Sequence, residues 1–323
     1  MSATLTDRDA DARPPAAASE TPTAAPRALT PHATLKRVVL LLNPMSGSVG
    51  QNAEAEARAI FADYALQAEV RPLDGDFDEA VVAAFARNPD AVFVLAGDGT
   101  ARAVAARAGP DGPLIAPLPG GTMNMLPKAL YGTTDWKVAL RQALEAGEPQ
   151  FVVGGRIDGE EPFFCAAILG SPALWAPARE ALRAGKLKLA WDHARQAAKR
   201  AFSGRLRYSL DGARGRRTGS LALISPVVSK AMEEPVGLEA AALDPADAAE
   251  AVRMAAHALF DDWRRDPAVS TRPARRIAIK ARSRIPAVID GEPTLLDREA
   301  VVIFLPRAFR ALAPRSTASE TAD

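Results

Sequence analysis

Two glycine-rich segments contain the residues of this chain best suited to hold a phosphate, LAGDGTARAVA at 95–105 and LPGGTMNMLPKAL at 118–130. The first overlaps the apolar run AVFVLA at 91–96, which predicts a buried strand and places GDGT at 97–100 on a strand-to-helix turn. Glycine lets backbone N–H groups approach a ligand closely, and the start of the next helix favours an anion. Asp98, the carboxylate among these glycines, is suited to hold a metal ion or to accept a hydroxyl proton.

A third turn, NPMSG at 43–47, follows the apolar run at 38–42. Taken singly, an Asn-Pro turn or an Asp-Gly pair is as typical of a loop as of a binding site. Three such turns at strand ends of one domain would converge on one crevice, because ligands bind at the carboxyl ends of parallel strands. The Gly-Lys-Ser or Gly-Lys-Thr of a Walker loop is absent from the sequence. The turns therefore indicate a nucleotide-dependent kinase of another type.

Alternating strands and helices must position these turns. Strands are predicted at 38–42, 68–73, 91–96 and 114–118, and helices at 51–64, 78–87, 100–108 and 135–146. This alternation predicts an α/β domain at 35–148, with a parallel sheet and helices on both faces.

Short strands joined by hairpin signals such as Asp158-Gly159 predict a second, mostly antiparallel domain at 149–313. Its strands are predicted at 151–157, 162–169, 205–211, 219–224, 237–243, 276–280, 286–289 and 300–305. Two helices are expected to interrupt them, at 176–202 and 245–263. The Ala- and Pro-rich residues 1–34 and the last residues, 314–323, are predicted to be disordered tails.

Composition limits the classes of protein to consider. The chain has 323 residues, 48% of them hydrophobic, and a net charge of +1, which predicts no generally polyanionic partner such as nucleic acid. Cys165 is the single cysteine, so no intrachain disulfide or thiolate metal site is expected. No apolar run approaches the ~20 residues of a membrane-spanning helix. A cytoplasmic protein is therefore predicted.

The order NPMSG, AGDGT and PLPGGTMN resembles the catalytic domain of the diacylglycerol kinase and sphingosine kinase family of lipid kinases, especially its bacterial members. The resemblance covers residues 37–305. It implies a phosphofructokinase-like α/β domain followed by a β-sandwich, ATP and Mg²⁺ as cofactors, and a lipid hydroxyl as acceptor in phospholipid biosynthesis. The nucleotide-binding residues that it implies are Asn43, Pro44, Ser46, Gly47, Gly97, Asp98, Gly99, Thr100, Gly120, Gly121, Thr122 and Asn124.

The same resemblance gives a role to the segment IDGEP at 289–293, which matches the family's Asp-Gly-Glu motif. It implies that Glu292 is the general base for the acceptor hydroxyl, that Asp290 is its close partner, and that Asp98 helps to position the magnesium-bound phosphates. A carboxylate suffices there, because phosphoryl transfer depends mainly on positioning and charge stabilisation. The letters IDGE recur at 157–160, at the first hairpin of the second domain, where we predict a plain turn.

The chain departs from the family pattern at three points. Ala96 replaces the first glycine of Gly-Gly-Asp-Gly-Thr, and Arg102-Ala103 replaces the usual Asn-Glu. Of the two roles open to Arg102, a phosphate contact and a solvated surface, we expect the second. Val236 stands where the family has an aspartate in a loop that holds a structural magnesium, so no ligands for that ion are assigned.

Positive charge is concentrated at residues 179–217, with twelve Lys or Arg residues and three acidic ones, a net charge of +9. Leucine, tryptophan and phenylalanine lie between the cations. We therefore predict that this segment makes transient contact with an anionic membrane surface, so that the protein is cytoplasmic and peripheral at the membrane. A homodimer is left open.

Two other functions remain alternatives to an active lipid kinase. One is an NAD kinase, which shares the Gly-Asp-Gly turn but calls for a different second loop than PGGTMN at 119–124. The other is a nucleotide-binding regulatory protein that keeps the fold and has lost transfer activity. The acceptor also stays open among diacylglycerol, phosphatidylglycerol, a sphingoid base and a non-lipid alcohol.

Overall fold

The computed structural model describes residues 31, 35–170, 173, 205–229, 235–243 and 269–315. Both helices expected at 176–202 and 245–263, most of the two tails, and residues 179–204 of the basic segment lie outside the described residues.

The described elements alternate first between strand and helix and then run mainly as strands. In chain order they are β1 (Arg37–Leu42), α1 (Ala53–Ala62), β2 (Gln67–Pro72), α2 (Phe77–Ala86), β3 (Ala91–Ala96), α3 (Asp98–Ala108), β4 (Leu114–Pro119), α4 (Met125–Tyr131), α5 (Trp136–Ala146), β5 (Glu148–Ile157), β6 (Ala166–Gly170), β7 (Leu206–Leu210), β8 (Arg216–Thr218), β9 (Ser220–Ile224), β10 (Leu238–Leu243), β11 (Val269–Ala274), β12 (Arg276–Lys280), β13 (Ile285–Ile289), β14 (Glu292–Leu296) and β15 (Glu299–Ala313).

The first four strands form the predicted parallel sheet, in the order β2-β1-β3-β4. Their alternate residues serve two different cores. Leu40 and Phe93 pack with α1 and α5 on one face, whereas Leu41 and Val92 pack with α2 and α3 on the other. A strand covered by helices on both faces reads as a continuous apolar run, which is why these strands could be predicted. The α/β architecture is confirmed.

The last strand, β15, joins this sheet to the second half of the chain. It runs parallel to β4 at Ala311 and Ile115, and antiparallel to both β5 and β12. The result is a nine-stranded sheet whose main path is β2-β1-β3-β4-β15-β12-β7-β8, with β5 paired to β15. The register of β15 with β5 shifts between Leu305 and Phe309. This irregularity carries the strand past Pro306, where the predicted strand stopped.

A second sheet is antiparallel throughout and packs against the second half of the first. Its order is β11-β10-β9-β6-β13-β14. Between the two sheets lies a shared core that includes Phe163, Leu221 and Ile277. The mostly antiparallel second part is thereby confirmed. Strands β8, β11 and β14 were not predicted, and neither was the short helix α4.

No helix in the part of the chain that the structure describes is both long enough and apolar enough to cross a membrane.

Candidate functional site

The three glycine- or serine-containing turns meet at the carboxyl ends of β1, β3 and β4. The amide of Gly97 donates to Oγ of Ser46 (3.1 Å), which joins the first two turns. Ser48 joins the first turn to the third, because its amide donates to the Gly120 carbonyl (3.1 Å) and its hydroxyl to the Gly121 carbonyl (2.7 Å). The three turns are therefore neighbours at this edge of the sheet, as the geometry of parallel strands predicts.

Two glycines of the third turn are required by close packing of the backbone. A Cβ atom at Gly120 would lie 2.8 Å from the backbone nitrogen and oxygen of Ala96, and one at Gly121 would lie 2.9 Å from Cα of Gly97. Both distances are shorter than any real Cβ contact, and the opposing atoms are backbone, which cannot move aside. These glycines therefore let the second and third turns lie against each other.

Asp98 holds the loop that follows β4. Its Oδ2 accepts a hydrogen bond from the Asn124 amide and its Oδ1 accepts one from the Met125 amide, both at 2.9 Å. The carboxylate thus satisfies two of the unpaired amides at the start of α4. The sequence suggested a metal ligand or proton acceptor, and the structure adds a loop-holding role that engages both oxygens.

Asn124 completes this loop in a strained backbone conformation. It is buried, with φ 49° and ψ 40° in the left-handed region, which asparagine tolerates better than most residues. Its side chain bridges back to Gly121, accepting from the amide (2.8 Å) and donating to the carbonyl (2.9 Å). The side chain of Asn124 therefore shapes the loop.

The first turn of α3 offers backbone donors to a ligand. Within the described residues, no acceptor pairs with the amides of Asp98, Gly99 or Thr100, and the N-cap, Gly97, has no capping side chain. Such amides, together with the positive end of the helix, form an anion-binding position. This arrangement fits the phosphates of a nucleotide.

The remaining predicted residues lie around this crevice. The Oδ1 of Asn43 accepts from the Met45 amide (3.0 Å) and shapes its own turn. A Cβ at Gly47 would come within 3.8 Å of the hydroxyl of Thr122, so the first and third turns are neighbours there too. Pro44 lies at the exposed rim of the first turn.

The Asp-Gly-Glu segment forms the hairpin between β13 and β14. Asp290 and Gly291 have φ values of 46° and 91°, which a tight hairpin of two residues requires. The Asp290 carboxylate accepts hydrogen bonds from the amides of Phe164 (2.8 Å), Cys165 (2.9 Å) and Ala166 (2.8 Å). Asp290 therefore fixes the hairpin to the start of β6.

Burial sets the protonation behaviour of two neighbouring groups. It raises the pKa of Asp290 above the usual value of a carboxyl group, against the opposing effect of the three amides and of Arg102. It also raises the pKa of the Cys165 thiol, with smaller contributions from Asp290 and Asp98. Burial therefore favours the protonated form of the Cys165 thiol, which is the less nucleophilic form.

Glu292 reaches across to α3 from the hairpin and forms an ion pair with Arg102. The distance from Nη2 of Arg102 to Oε2 of Glu292 is 2.5 Å, and the exposed fractions of the two side chains are 15% and 53%. The expectation that Arg102 faces solvent is wrong. Its partner is 190 positions away in the chain, so no local pattern could reveal the pair.

The Glu292 carboxylate also lies against Gly99. A Cβ atom built at Gly99 would overlap Oε1 of Glu292. The absence of a side chain at Gly99 thus makes room for the carboxylate beside the first turn of α3. A small cavity next to this contact is lined by Asp98, Ala101, Arg102, Met125, Leu126, Phe164, Cys165 and Asp290.

The second IDGE segment has the role predicted for it. The amide of Glu160 donates to the Ile157 carbonyl (3.0 Å) and Gly159 has φ 78°, so residues 157–160 form a turn.

The described residues contain no group of three His, Cys, Asp or Glu side chains that could hold a metal ion. Val236 is exposed, and its carbonyl accepts from Nε of Arg275 (2.9 Å).

Residues 37–154 match the family model of the diacylglycerol kinase catalytic domain. The resemblance noted from the three turns is confirmed by this match, which contains all three. No curated protein sequence matches the chain.

Three solved structures from Bacillus anthracis str. Sterne share the fold over most of both chains. They are described as a diacylglycerol kinase in one case and as candidate diacylglycerol kinases in the other two. Their TM-scores are 0.62, 0.64 and 0.64 at 14%, 16% and 17% identity. The alignments cover 87–88% of this chain and 98–99% of the others. The fold is thus the one found in those structures.

Proposed function

We propose that this chain, whose residues 37–154 match the family model of the diacylglycerol kinase catalytic domain, transfers the γ-phosphate of ATP to the hydroxyl group of a lipid. The observation that carries the proposal is the position of Glu292, whose carboxylate lies against Gly99 in the first turn of α3. A group that can accept a proton is thereby placed beside backbone amides that can hold a phosphate.

The nucleotide phosphates would be held by the free amides of Asp98, Gly99 and Thr100. Backbone donors fixed at a helix start need no rearrangement when charge develops on the transferred group, so they stabilise the transition state efficiently. Ser46, which accepts from the Gly97 amide, keeps this turn in register with the turn after β1.

Magnesium would arrive with ATP, because the triphosphate supplies most of its own ligands, and its chemistry is to neutralise charge on the phosphate oxygens. Asp98 is the nearest carboxylate in the turn. Each of its oxygens already accepts one amide and retains a further lone pair. Asp98 can therefore contribute one ligand while it continues to hold α4.

Of the two carboxylates in the hairpin, Glu292 is better suited to accept the hydroxyl proton. Asp290 is engaged by three amides and holds β6, whereas Glu292 has 53% of its side chain exposed and can move. In the proposed reaction Glu292 takes the proton of the lipid hydroxyl as its oxygen attacks the γ-phosphorus, and ADP leaves.

Positive charge on the outer face of the large sheet supports contact with an anionic membrane. Arg207 in β7 lies directly opposite Arg217 in β8, and both side chains are exposed. On the other side of Arg207, Lys280 in β12 pairs with Glu299 (2.9 Å). Cations directly opposite one another repel, and an anionic surface relieves that repulsion. Arg207 and Arg217 belong to the described part of the basic segment predicted at 179–217.

One observation favours the regulatory alternative as a second candidate. Glu292 is paired with Arg102, so the proposed base is engaged in the structure. A protein that had lost transfer activity would bind ATP through the same turns and leave Glu292 permanently paired. No comparable observation favours an NAD kinase.

The experiment that separates these functions is incubation with ATP labelled at the γ-phosphate and vesicles of defined lipids. The panel contains diacylglycerol, phosphatidylglycerol and a sphingoid base, with glycerol as the non-lipid alcohol. We expect label in a lipid product with the wild type and none with Glu292→Gln, which keeps the shape and cannot accept a proton. ATP binding should be retained in this variant.

Glu160→Gln is the matched control, because Glu160 ends the second IDGE turn, to which we assign a purely structural role. Its labelling should equal that of the wild type. Unchanged labelling in Glu292→Gln would remove Glu292 from the base role. Binding of ATP without label in any acceptor would instead support the regulatory function.

A further inference from the structure

Arg102 is placed to act on the first turn of α3. It lies three positions after Gly99, so both residues share one face of the helix. Side chains on a helix point back toward its start, and the Arg102 guanidinium meets the same Glu292 carboxylate that lies against Gly99. With 15% of its side chain exposed, Arg102 adds a largely desolvated positive charge there.

Its present pairing leaves part of the guanidinium unused. Nη2 donates to Glu292, whereas Nε is buried and has no hydrogen-bond partner among the described residues. A buried donor without an acceptor costs free energy, and guanidinium is a planar fork built to bind two oxygens at once. The ion pair with Glu292 is therefore not the arrangement that satisfies Arg102 fully.

The Glu292 carboxylate lies at the start of α3, where a bound anion would be expected. Its carboxylate lies against Gly99, beside the amides to which the proposed function assigns the phosphates. It comes from the opposite sheet and has half of its side chain exposed, so it can withdraw without disturbing a core. A nucleotide phosphate carries more charge than a carboxylate and would compete well for the same donors.

We infer that Arg102 binds a phosphate group of the nucleotide and that Glu292 holds its place until the nucleotide arrives. This inference rests on the proposed function, because that function identifies the ligand as a nucleotide. Binding transfers the guanidinium from the carboxylate to two phosphate oxygens, with Nε as the second donor. The same exchange releases Glu292 toward the acceptor hydroxyl, so the base becomes available only when a phosphate is in place.

The test is nucleotide binding by Arg102→Met and Arg102→Lys, measured by titration calorimetry on the full chain with ATP and with adenosine. A charge-assisted pair to phosphate predicts a loss of about tenfold to a hundredfold in ATP affinity for Arg102→Met, and a smaller loss for Arg102→Lys, which keeps the charge but not the fork. Adenosine affinity should not change. Glu292→Gln should bind ATP at least as tightly as the wild type.

Arg107→Met is the matched control, since Arg107 lies on the same helix and pairs instead with Asp78 and Glu161. It should bind ATP as the wild type does. Wild-type ATP affinity in Arg102→Met would overturn the inference and reduce Arg102 to a positioning residue for Glu292. An equal loss for ATP and adenosine would overturn it as well, because damage to the whole site would explain both.

Failure of the proposed function gives a different result. If the variants show the expected pattern of ATP affinities but the wild type labels no acceptor, Arg102 still binds phosphate and the protein is not a kinase. If the wild type labels a lipid and Arg102→Met binds ATP normally, the proposed kinase function is supported and phosphate binding by Arg102 is overturned.

Discussion

Oδ1 of Asp98 lies 2.9 Å from the backbone nitrogen of Met125, so the carboxylate of one glycine turn caps the helix that follows the next. Oδ2 makes the same contact with Asn124. The turns after β3 and β4 are therefore one unit, and a change in one moves the other.

Replacing Asp98 by asparagine should loosen that unit. Asparagine keeps one acceptor oxygen of two, so the start of α4 loses a charge-assisted hydrogen bond, and we expect a loss of about 1–2 kcal/mol in the free energy of unfolding, measured in urea. Lipid phosphorylation should fall as well. Asp135→Asn is the control: Asp135 caps α5 by accepting from Lys137 and Val138 through a single oxygen, which asparagine keeps, so this variant should lose less stability and keep its activity. Equal activity in both variants would contradict the prediction.

Two glycines of the site should respond in opposite ways to alanine. In Gly99→Ala the new methyl group meets the end of the Glu292 side chain, which can move away. The free energy of unfolding should then hold or rise by up to about 1 kcal/mol, since alanine favours helix, while phosphoryl transfer falls at least about tenfold. In Gly120→Ala the methyl group meets the backbone of Ala96, and unfolding should become easier by about 1–3 kcal/mol. Urea titrations and transfer rates on both variants test this; a shared phenotype would be inconsistent with it.

Tyr64 should make stability depend on pH in the alkaline range. Burial and the hydrogen bond from its hydroxyl to Glu145 raise its pKa from 10.0 to about 12. Between these values the folded chain keeps the proton and the unfolded chain releases it, so the contribution of Tyr64 is complete below pH 10 and declines as the pH rises through about 12. The difference in unfolding free energy between the wild type and Tyr64→Phe should therefore shrink over this range. A difference that stays constant from about pH 8 to about pH 11 would argue against the assignment.

Removing two cations from the outer sheet face should weaken membrane binding. A cation near an anionic surface contributes about 1 kcal/mol, so Arg207→Gln combined with Arg217→Gln should lower partitioning onto phosphatidylglycerol vesicles by roughly tenfold or more at low salt. Arg58→Gln, which removes an exposed cation paired with Glu54 on α1, serves as the control. Vesicle sedimentation is the measurement. Equal partitioning of all three proteins would exclude this face as the contact.

The parallel sheet could be predicted from sequence because its strands are covered on both sides. Leu40 and Leu41 are both fully buried, so β1 appears as an unbroken apolar run. The second half of β15 could not be predicted, because Pro306 and Arg307 interrupt the pattern where the register with β5 shifts. The hydrophobic periodicity of the sequence does not reveal a register shift of this kind.

The crevice was predictable in part for a related reason. Turn residues such as Gly97 and Gly120 are visible in the sequence, and their convergence follows from the geometry of parallel strands. The ion pair between Arg102 and Glu292 depends on how two sheets pack, which no local pattern contains. The three amides that engage Asp290 are hidden in the same way.

The pairing of β15 with β4 has a consequence for the order of synthesis. The parallel sheet is encoded by residues up to 119, yet the strand beside its last member is encoded by 299–313. During translation β4 waits with an unpaired edge while about 180 further residues are made. The phosphate-binding half of the site should thus reach its final stability only after residues 299–313 have been made. A fragment that stops at residue 154 would keep every glycine turn and lack the strand that closes them in.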